Sequence, residues 1–214
     1  MPFLTFIIDI FTKSNLLCLL AAYLIGSIPF GLIYAKIFAR VDITKEGSKS
    51  IGATNVLRVV KQNNPKLAKK LAIATMLSDL LKGTLCILVA KLLAVPANIY
   101  WAMAIMLVFG HCYSAFLKFN GGKGVACGAG SLLLLIPYSV LIGLFCWLII
   151  GKVFKISSLA SLIGFSIGVF SAEFLYAQTE IGSHAPLYII LFIVFYQHIP
   201  NIIRLIKKDE CKVI

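Results

Sequence analysis

The stretch GVACGAGSLLLLIPYSVLIGLFCWLIIG, residues 124–151, decides how many times the chain crosses a membrane. It runs for 28 residues without a charged side chain. A membrane-spanning helix needs about 20 residues, so the stretch can form one tilted helix or two short helices that separate near Pro137. The basic residues in the flanking loops distinguish these alternatives.

Composition assigns the chain to the membrane class. Of its 214 residues, 60% are hydrophobic and 13% are charged, and the mean hydropathy is +0.98. Soluble domains carry about 25% charged residues. The net charge of +12 reflects basic loops that set the topology and face anionic lipid, so no nucleic-acid partner is expected. The six cysteines lack metal-ligand spacing, and neither a metal nor a cofactor is expected.

The basic residues favour two helices within 124–151. Apolar segments suitable for spans lie near 16–38, 71–93, 98–118, 124–138, 139–151, 157–175 and 185–203. With two helices in the long stretch, sixteen of the twenty Lys and Arg residues fall on one side, which the positive-inside rule assigns to the cytoplasm. The sequence therefore predicts an all-α membrane protein with seven transmembrane helices in a single domain, 1–214. Its N-terminus is periplasmic and its C-terminus cytoplasmic.

Three clusters rich in polar residues or glycine lie on the predicted cytoplasmic face, in loops over about 39–70, 118–124 and 198–214. The second cluster, FNGGKG at 119–124, places Gly121, Gly122 and Gly124 around Lys123. Glycine permits positive φ and the close approach of a ligand, and the N-terminus of a following helix attracts anions. These features favour a phosphate site, while a tight turn between two spans explains the loop about equally well.

The first cluster, EGSKSIGATNVLR at 46–58, is rich in groups that bind a phosphate monoester. Its candidate phosphate ligands are Ser48, Gly52, Thr54, Asn55 and Arg58. An arginine can hold two phosphate oxygens at once. The alternative is an ordinary cytoplasmic loop in which Thr54 caps a short interfacial helix.

The third cluster, HIPNIIRLIKKDE at 198–210, ends the last predicted span. His198 and Asn201 are separated by three residues and share one helix face. Ionisable side chains at membrane depth are functional candidates, although a histidine at a helix end is often only interfacial. His111 ends the third span in a similar way and is a weaker candidate.

Three motifs, in order, resemble those of the bacterial acyl-phosphate-dependent glycerol-3-phosphate acyltransferases. They read GSKSIGATNVLR, GHCYSAFLKFNGGKGVACG and HIPNIIRL…E, and the resemblance runs from about residue 20 to 210. It implies a seven-helix enzyme of the bacterial inner membrane with a cytoplasmic active site. Such an enzyme transfers a fatty acyl group from acyl phosphate to the 1-position of glycerol 3-phosphate, giving lysophosphatidic acid and phosphate.

The resemblance also implies roles for individual residues. Ser48, His198 and Asn201 would be catalytic, with Arg58 and Lys123 holding phosphate. Glu210 matches the acid that closes the third motif, and Ser158 is a better match than Ser161 for a further site serine. The enzyme that produces the acyl phosphate is a candidate partner, alongside membrane lipid. The proton acceptor is either His198 or a substrate phosphate oxygen.

This chain departs from the usual motif pattern at a few positions. Lys49 and Ser50 stand where the first motif usually has Gly-Asn, Thr44 where an Arg is common, and Lys208 where a Gly is usual. A transporter of an anionic or phosphorylated solute is the alternative function. Transporters usually show inverted repeats and substrate residues near the midplane of the membrane, whereas the polar clusters here are all predicted at one face.

Overall fold

The computed structural model describes residues 12–212, and all regular structure within this range is helical. The predicted all-α class is therefore confirmed, while the sides of the membrane predicted for the two chain termini concern residues outside this range. The elements are α1 (Lys13–Ser27), α2 (Phe30–Tyr34), a π-helical turn (Ala35–Ala39), α3 (Ala53–Val60), α4 (Pro65–Leu92), α5 (Ala97–Cys112), a 3-10 turn (Ala115–Leu117), α6 (Val125–Leu132), α7 (Pro137–Phe154), α8 (Ser157–Leu175), α9 (Ala185–Gln197) and α10 (Ile199–Ile206).

Several of these helices are long and apolar enough to cross a membrane. Five segments meet both criteria, namely Lys13–Ala39, Pro65–Leu92, Ala97–Leu117, Pro137–Phe154 and Ser157–Leu175. Helices α9 and α10 form a sixth such unit, bent by 59°. The chain is thus a multi-pass membrane protein. Helix α6 has eight residues and rises only about 12 Å, so the count of seven spans stays a prediction.

The long apolar stretch 124–151 is divided into two helices, as its flanking charges favour. Helix α6 ends at Leu132, and α7 begins at Pro137. A proline in the interior of a helix would clash with the preceding turn, but at the first helical position its missing N–H costs nothing. Pro137 therefore starts a new helix.

Hydrogen bonds between distant segments define two ends of the bundle. At one end, the Thr54 and Ser157 hydroxyls lie 2.9 Å apart and join α3 to the start of α8. At the other, the Tyr138 N–H donates to the Tyr176 hydroxyl at 3.1 Å, joining the start of α7 to the end of α8. Helices α7 and α8 therefore run antiparallel. We call the end that contains Thr54 and Ser157 the polar end.

Glycines allow the short helix α6 to lie directly against the backbone of α4. A Cβ added to Gly130 would fall 2.0 Å from the Leu80 carbonyl oxygen, and one added to Gly83 would fall 2.7 Å from that of Cys127. The Thr84 hydroxyl also donates to the Gly130 carbonyl at 3.0 Å. Such close approach is typical of small residues between membrane helices. It fixes where α6 starts, and hence the loop that precedes it.

We expect Gly130→Ala to destabilise the protein by about 1–3 kcal/mol, because the added methyl group overpacks the contact between α6 and α4. Gly151→Ala is the matched control, since a Cβ there meets only the Ala160 methyl at 3.7 Å. It should be neutral or stabilising, because alanine favours a helix more than glycine does. Thermal unfolding in detergent measures both. Equal midpoints for the two variants would contradict the proposed contact.

Candidate active site

A cavity of about 370 Å³ extends from the polar end into the bundle between α4, α6, α7 and α8. We call it the lateral cavity. It contains most of the predicted site residues, which come from separate segments of the sequence: Ser48, Gly52, Thr54, Asn55, Arg58, His111, Lys123, Gly124, Ser158, His198, Asn201 and Glu210. The expected convergence of the three clusters is therefore observed.

The inner part of the lateral cavity is apolar and opens sideways. Its walls include Trp147, Phe165 and Val169. Leu77 on α4 and Leu144 on α7 also line it, and each is 48% exposed on the outer surface of the bundle. The opening therefore lies between α4 and α7, on the surface that faces lipid in a membrane. An alkyl chain suits such a wall.

A second cavity of about 350 Å³ adjoins the first at the polar end. Gly121 and Gly122, the two predicted residues missing from the lateral cavity, line it. Its charged lining residues, among those the structure describes, are Lys49, Lys123 and Arg204, and all three are cationic. We call it the cationic cavity. Four residues line both cavities, so an anion in one can meet a ligand in the other: Ser48, Ser50, Lys123 and Asn201.

The Glu210 carboxylate accepts hydrogen bonds from three side chains at the polar end and is linked to a fourth, Lys123, through Asn201. Its Oε1 accepts from the Ser158 hydroxyl at 2.9 Å and from the Asn201 amide, while Oε2 accepts from Arg204 Nε at 2.6 Å. The Asn201 amide oxygen accepts from the Lys123 ammonium. Burial alone would raise the pKa of Glu210, but the hydrogen bonds from Arg204, Asn201 and Ser158 outweigh it, so the pKa is lowered. Glu210 is therefore an anchor that orients Asn201 and, through it, Lys123.

Lys123 carries its charge where burial opposes it. Burial lowers the pKa of its ammonium to about 8, and the nearby Arg204 and Arg58 act in the same direction while Glu210 opposes them. At neutral pH most of the side chain remains charged. A bound anion would favour the charged form, so this lysine suits an anionic ligand.

His198 lies at the bend between α9 and α10 and is 1% exposed. Its Nδ1 lies 2.7 Å from the Val194 carbonyl oxygen, which can only accept, so Nδ1 carries the hydrogen. In the neutral ring, Nε2 therefore holds a lone pair. No partner for Nε2 is observed among residues 12–212. Because His198 lines the lateral cavity, Nε2 can accept a proton or a hydrogen bond from a ligand.

Arg58 and Ser48 are available to a ligand from the side of α3. Within the described range, the Arg58 guanidinium makes no observed hydrogen bond or ion pair, and it lines the lateral cavity. Thr54 lies inside α3 and bonds Ser157, while the residue that precedes the helix is Gly52. The short helix is therefore as expected, but Thr54 does not cap it.

Asn55 shapes the loop that presents Ser48. Its amide nitrogen donates to the carbonyl oxygens of Ile43 at 2.9 Å and Ser50 at 2.8 Å, and its amide oxygen accepts from the Ser48 N–H at 2.8 Å. Both amide hydrogens are thus used by the backbone. Asn55 therefore has no free amide hydrogen for the predicted contact with phosphate, and its role is to shape the loop.

The glycines of the GGKG loop serve different purposes. Among these three glycines, the positive φ that glycine permits occurs only at Gly124 (φ +83°). Gly121 and Gly122 pack against His111 instead. A Cβ would fall 2.2 Å from the His111 carbonyl oxygen at Gly121 and 2.0 Å from His111 Nε2 at Gly122. The Gly122 N–H also donates to that carbonyl at 2.8 Å. The loop is therefore built directly on the end of α5.

The structure adds residues that the motifs alone do not single out. Arg204 contacts Glu210, and its position three residues after Asn201 on one helix face could have indicated this. Asp79 and Lys82, one turn apart on α4, form an ion pair in which Lys82 Nζ lies 2.8 Å from Asp79 Oδ1. His111 joins this pair through Nδ1, 3.0 Å from Lys82 Nζ. That third contact is tertiary and has no signal in residue spacing.

Two departures from the usual motif pattern share one backbone conformation. Lys49 and Lys208 have φ of +59° and +61°, in the left-handed region that favours glycine. The glycines usual at these positions are therefore explained by geometry, and this chain keeps the same turns with lysine. Lys49 adds a cation to the wall of the cationic cavity.

The chain is similar to known proteins over nearly its whole length. The model of the family described as glycerol-3-phosphate acyltransferase matches residues 16–208. A glycerol-3-phosphate acyltransferase from Aliarcobacter butzleri (strain RM4018) is 59% identical over 206 residues, covering 96% of this chain and 100% of that protein. One from Campylobacter lari is 60% identical over 203 residues, covering 94% and 100%.

Solved structures of similar fold are also known. A crystal structure of PlsY (YgiH), an integral membrane glycerol 3-phosphate acyltransferase in its glycerol 3-phosphate form, superposes with a TM-score of 0.80 at 30% identity, covering 94% of this chain and 96% of that one. The lysophosphatidic acid form gives a TM-score of 0.76 at 30% identity, covering 94% and 95%.

Proposed function

Because the chain belongs to the glycerol-3-phosphate acyltransferase family, we propose that it transfers a fatty acyl group from an acyl phosphate to glycerol 3-phosphate. The hydroxyl oxygen at position 1 of glycerol 3-phosphate forms a bond to the acyl carbonyl carbon. The bond from that carbon to the phosphate oxygen breaks. The products are lysophosphatidic acid and inorganic phosphate.

One observation carries this proposal: a lateral apolar cavity and a cationic cavity meet at Ser48, Ser50, Lys123 and Asn201. The reaction needs a substrate with a long alkyl chain and a second, water-soluble substrate with a phosphate. The apolar walls suit the first, and the cations suit the second. Both substrates carry phosphate, so a shared lysine at the junction suits their reacting ends.

The site residues then take complementary roles. Lys123 and Arg58 hold phosphate oxygens, with Ser48, Gly52 and Gly124 nearby. Asn201 and Glu210 orient Lys123 through the hydrogen bonds described above. The hydroxyl proton passes to His198 Nε2 or to a phosphate oxygen. An acyl phosphate is already activated, so positioning and charge neutralisation supply most of the acceleration.

We further propose a single membrane domain with seven spans in the bacterial inner membrane, and with the polar end in the cytoplasm. Helix α6 and the turn after it form a short crossing, which raises the number of spans from six to seven. The basic residues near the polar end support this orientation, as does the need for water-soluble glycerol 3-phosphate. In sealed vesicles, added glycerol 3-phosphate should support turnover only when the vesicles are inside-out. Equal rates in right-side-out vesicles would contradict the orientation.

The reaction is tested by phosphate release from purified protein in lipid. Glycerol 3-phosphate is supplied with palmitoyl phosphate, and palmitoyl-CoA serves as the control donor. We expect phosphate release and lysophosphatidic acid in equal amounts, with acyl phosphate only. Turnover with the CoA thioester alone would discard the proposed donor. A folded protein inactive with both donors would favour a transporter.

Lys123 gives the reaction a pH dependence. Its pKa of about 8 lies below the ordinary 10.5, so the ammonium is charged below pH 8 and loses its charge as the pH rises through 8. Phosphate monoesters are already dianionic there. We expect KM for glycerol 3-phosphate to rise about tenfold from pH 7 to 9, because about nine-tenths of the lysine is neutral at pH 9.

Substitution separates this effect from a general pH response. Lys123→Arg keeps its charge to high pH, so its KM should not show the rise, whatever its absolute rate. Lys118→Arg is the control, since the exposed Lys118 lines neither cavity, and the rise should persist. An unchanged rise in Lys123→Arg would remove Lys123 from phosphate binding.

A further inference from the structure

The buried ammonium of Lys82 has three close polar partners. Its Nζ lies 2.8 Å from Asp79 Oδ1, 3.0 Å from the Ile28 carbonyl oxygen and 3.0 Å from His111 Nδ1. An ammonium donates three hydrogen bonds and accepts none. The contact with Asp79 is an ion pair, while the Ile28 carbonyl oxygen and His111 Nδ1 lie at hydrogen-bond distance. Because the ammonium can only donate, His111 Nδ1 is the acceptor in its contact with Lys82.

This contact sets the tautomer of His111. A ring with hydrogens on both nitrogens would place an N–H against the ammonium at 3.0 Å, which is unfavourable. Asp79 Oδ1, at 3.5 Å from Nδ1, is too far for a good hydrogen bond. The imidazole is therefore neutral, with its single hydrogen on Nε2. A neutral ring also avoids a second positive charge beside Lys82.

The Nε2 of His111 lies beside the GGKG loop, next to Lys123 in sequence. His111 is buried and lines the lateral cavity together with Lys123 and His198, but it does not line the cationic cavity. Its Nε2 lies beside Gly122, where a Cβ would come within 2.0 Å of it. Among residues 12–212 no acceptor for this hydrogen is observed. A donor held in place and left without a partner suits an anionic oxygen of a ligand.

We propose that His111 is a further catalytic residue, whose Nε2–H donates a hydrogen bond to the acyl carbonyl oxygen of the substrate in the lateral cavity. The inference rests on the proposed function, because it takes the acyl-carrying substrate to occupy that cavity. The carbonyl oxygen gains negative charge when the glycerol hydroxyl attacks, so the hydrogen bond strengthens in the transition state. Lys82 and Asp79 are positioning residues that hold the required tautomer.

Two substitutions at His111 separate this role from a structural one. In His111→Asn the amide oxygen can replace Nδ1 as acceptor for Lys82, but no donor remains at the position of Nε2. In His111→Gln the amide nitrogen can reach that position and donate, while Lys82 loses an acceptor. If His111 only supports Lys82, the Asn variant should therefore have the higher kcat. If His111 donates to the substrate, the Gln variant should have the higher kcat.

We expect His111→Asn to lower kcat by about 10²–10³-fold, as is usual when one oxyanion donor is removed, with KM for glycerol 3-phosphate within about twofold of wild type. His111→Gln should retain at least about tenfold more kcat than His111→Asn, even with a lower thermal midpoint. The reverse order of kcat, with Asn the more active variant, would overturn the proposal.

A measurement on the unmodified protein covers the case in which neither variant folds. Histidine ¹⁵N shifts in detergent report which ring nitrogen carries the hydrogen. We expect the Nε2–H tautomer for His111, and a shift of this resonance when a long-chain acyl phosphonate, which keeps the carbonyl but cannot transfer, is added. A hydrogen on Nδ1, or no response to saturating phosphonate, would overturn the proposal.

The two proposals fail in distinguishable ways. Wild-type protein that is inactive with palmitoyl phosphate counts against the proposed reaction. Active wild-type protein with His111→Asn at full rate counts against His111 alone. The tautomer is measured without turnover and so tests the geometry separately from the reaction.

Discussion

The organisation of this protein depends on one charge in an apolar interior, the ammonium of Lys82. A charge without partners in an apolar interior costs free energy, so polar partners must surround this ammonium. Those partners come from α4 itself, from the end of α5, and from Ile28 in the break between α1 and α2. A buried ion pair adds little net stability compared with apolar packing, and its value lies in specifying one arrangement. Three helices are thereby fixed relative to one another.

The second support of the site is the carboxylate of Glu210, near the end of the chain. It ties α8 to α10 through Ser158, Asn201 and Arg204. Both ionic clusters support Lys123: the GGKG loop bonds the His111 carbonyl through the Gly122 N–H, and the lysine ammonium donates to Asn201. The lysine is therefore held at both its backbone and its side chain. Such pre-organisation suits a site whose main task is to position two phosphorylated molecules.

Much of this arrangement could be predicted, because membrane topology is encoded in local composition. The helices, the break before Pro137 and the convergence of the three clusters follow from hydropathy and charge. The purposes of individual residues were harder to predict. Asn55 and Gly122 are residue types that are common in phosphate sites. In the structure, however, Asn55 bonds a backbone carbonyl, and Gly122 packs against a histidine ring. The partners are distant in sequence, and a single chain offers no pattern that reveals them. Similarly, the positive φ at Lys49 could not be predicted, because lysine rarely adopts this backbone conformation.

The lateral opening between Leu77 and Leu144 has a consequence for how the protein senses its surroundings. For a molecule that arrives through this opening, the effective concentration is its mole fraction in the surrounding lipid. For one that arrives through the cationic cavity, it is the molar concentration in water. Adding inert lipid dilutes the first and leaves the second unchanged. A lipid product that leaves by the same opening competes for the same two-dimensional space. Growth of the membrane area would dilute the product and so relieve that competition. The reaction rate would therefore depend on the mole fraction of product in the bilayer.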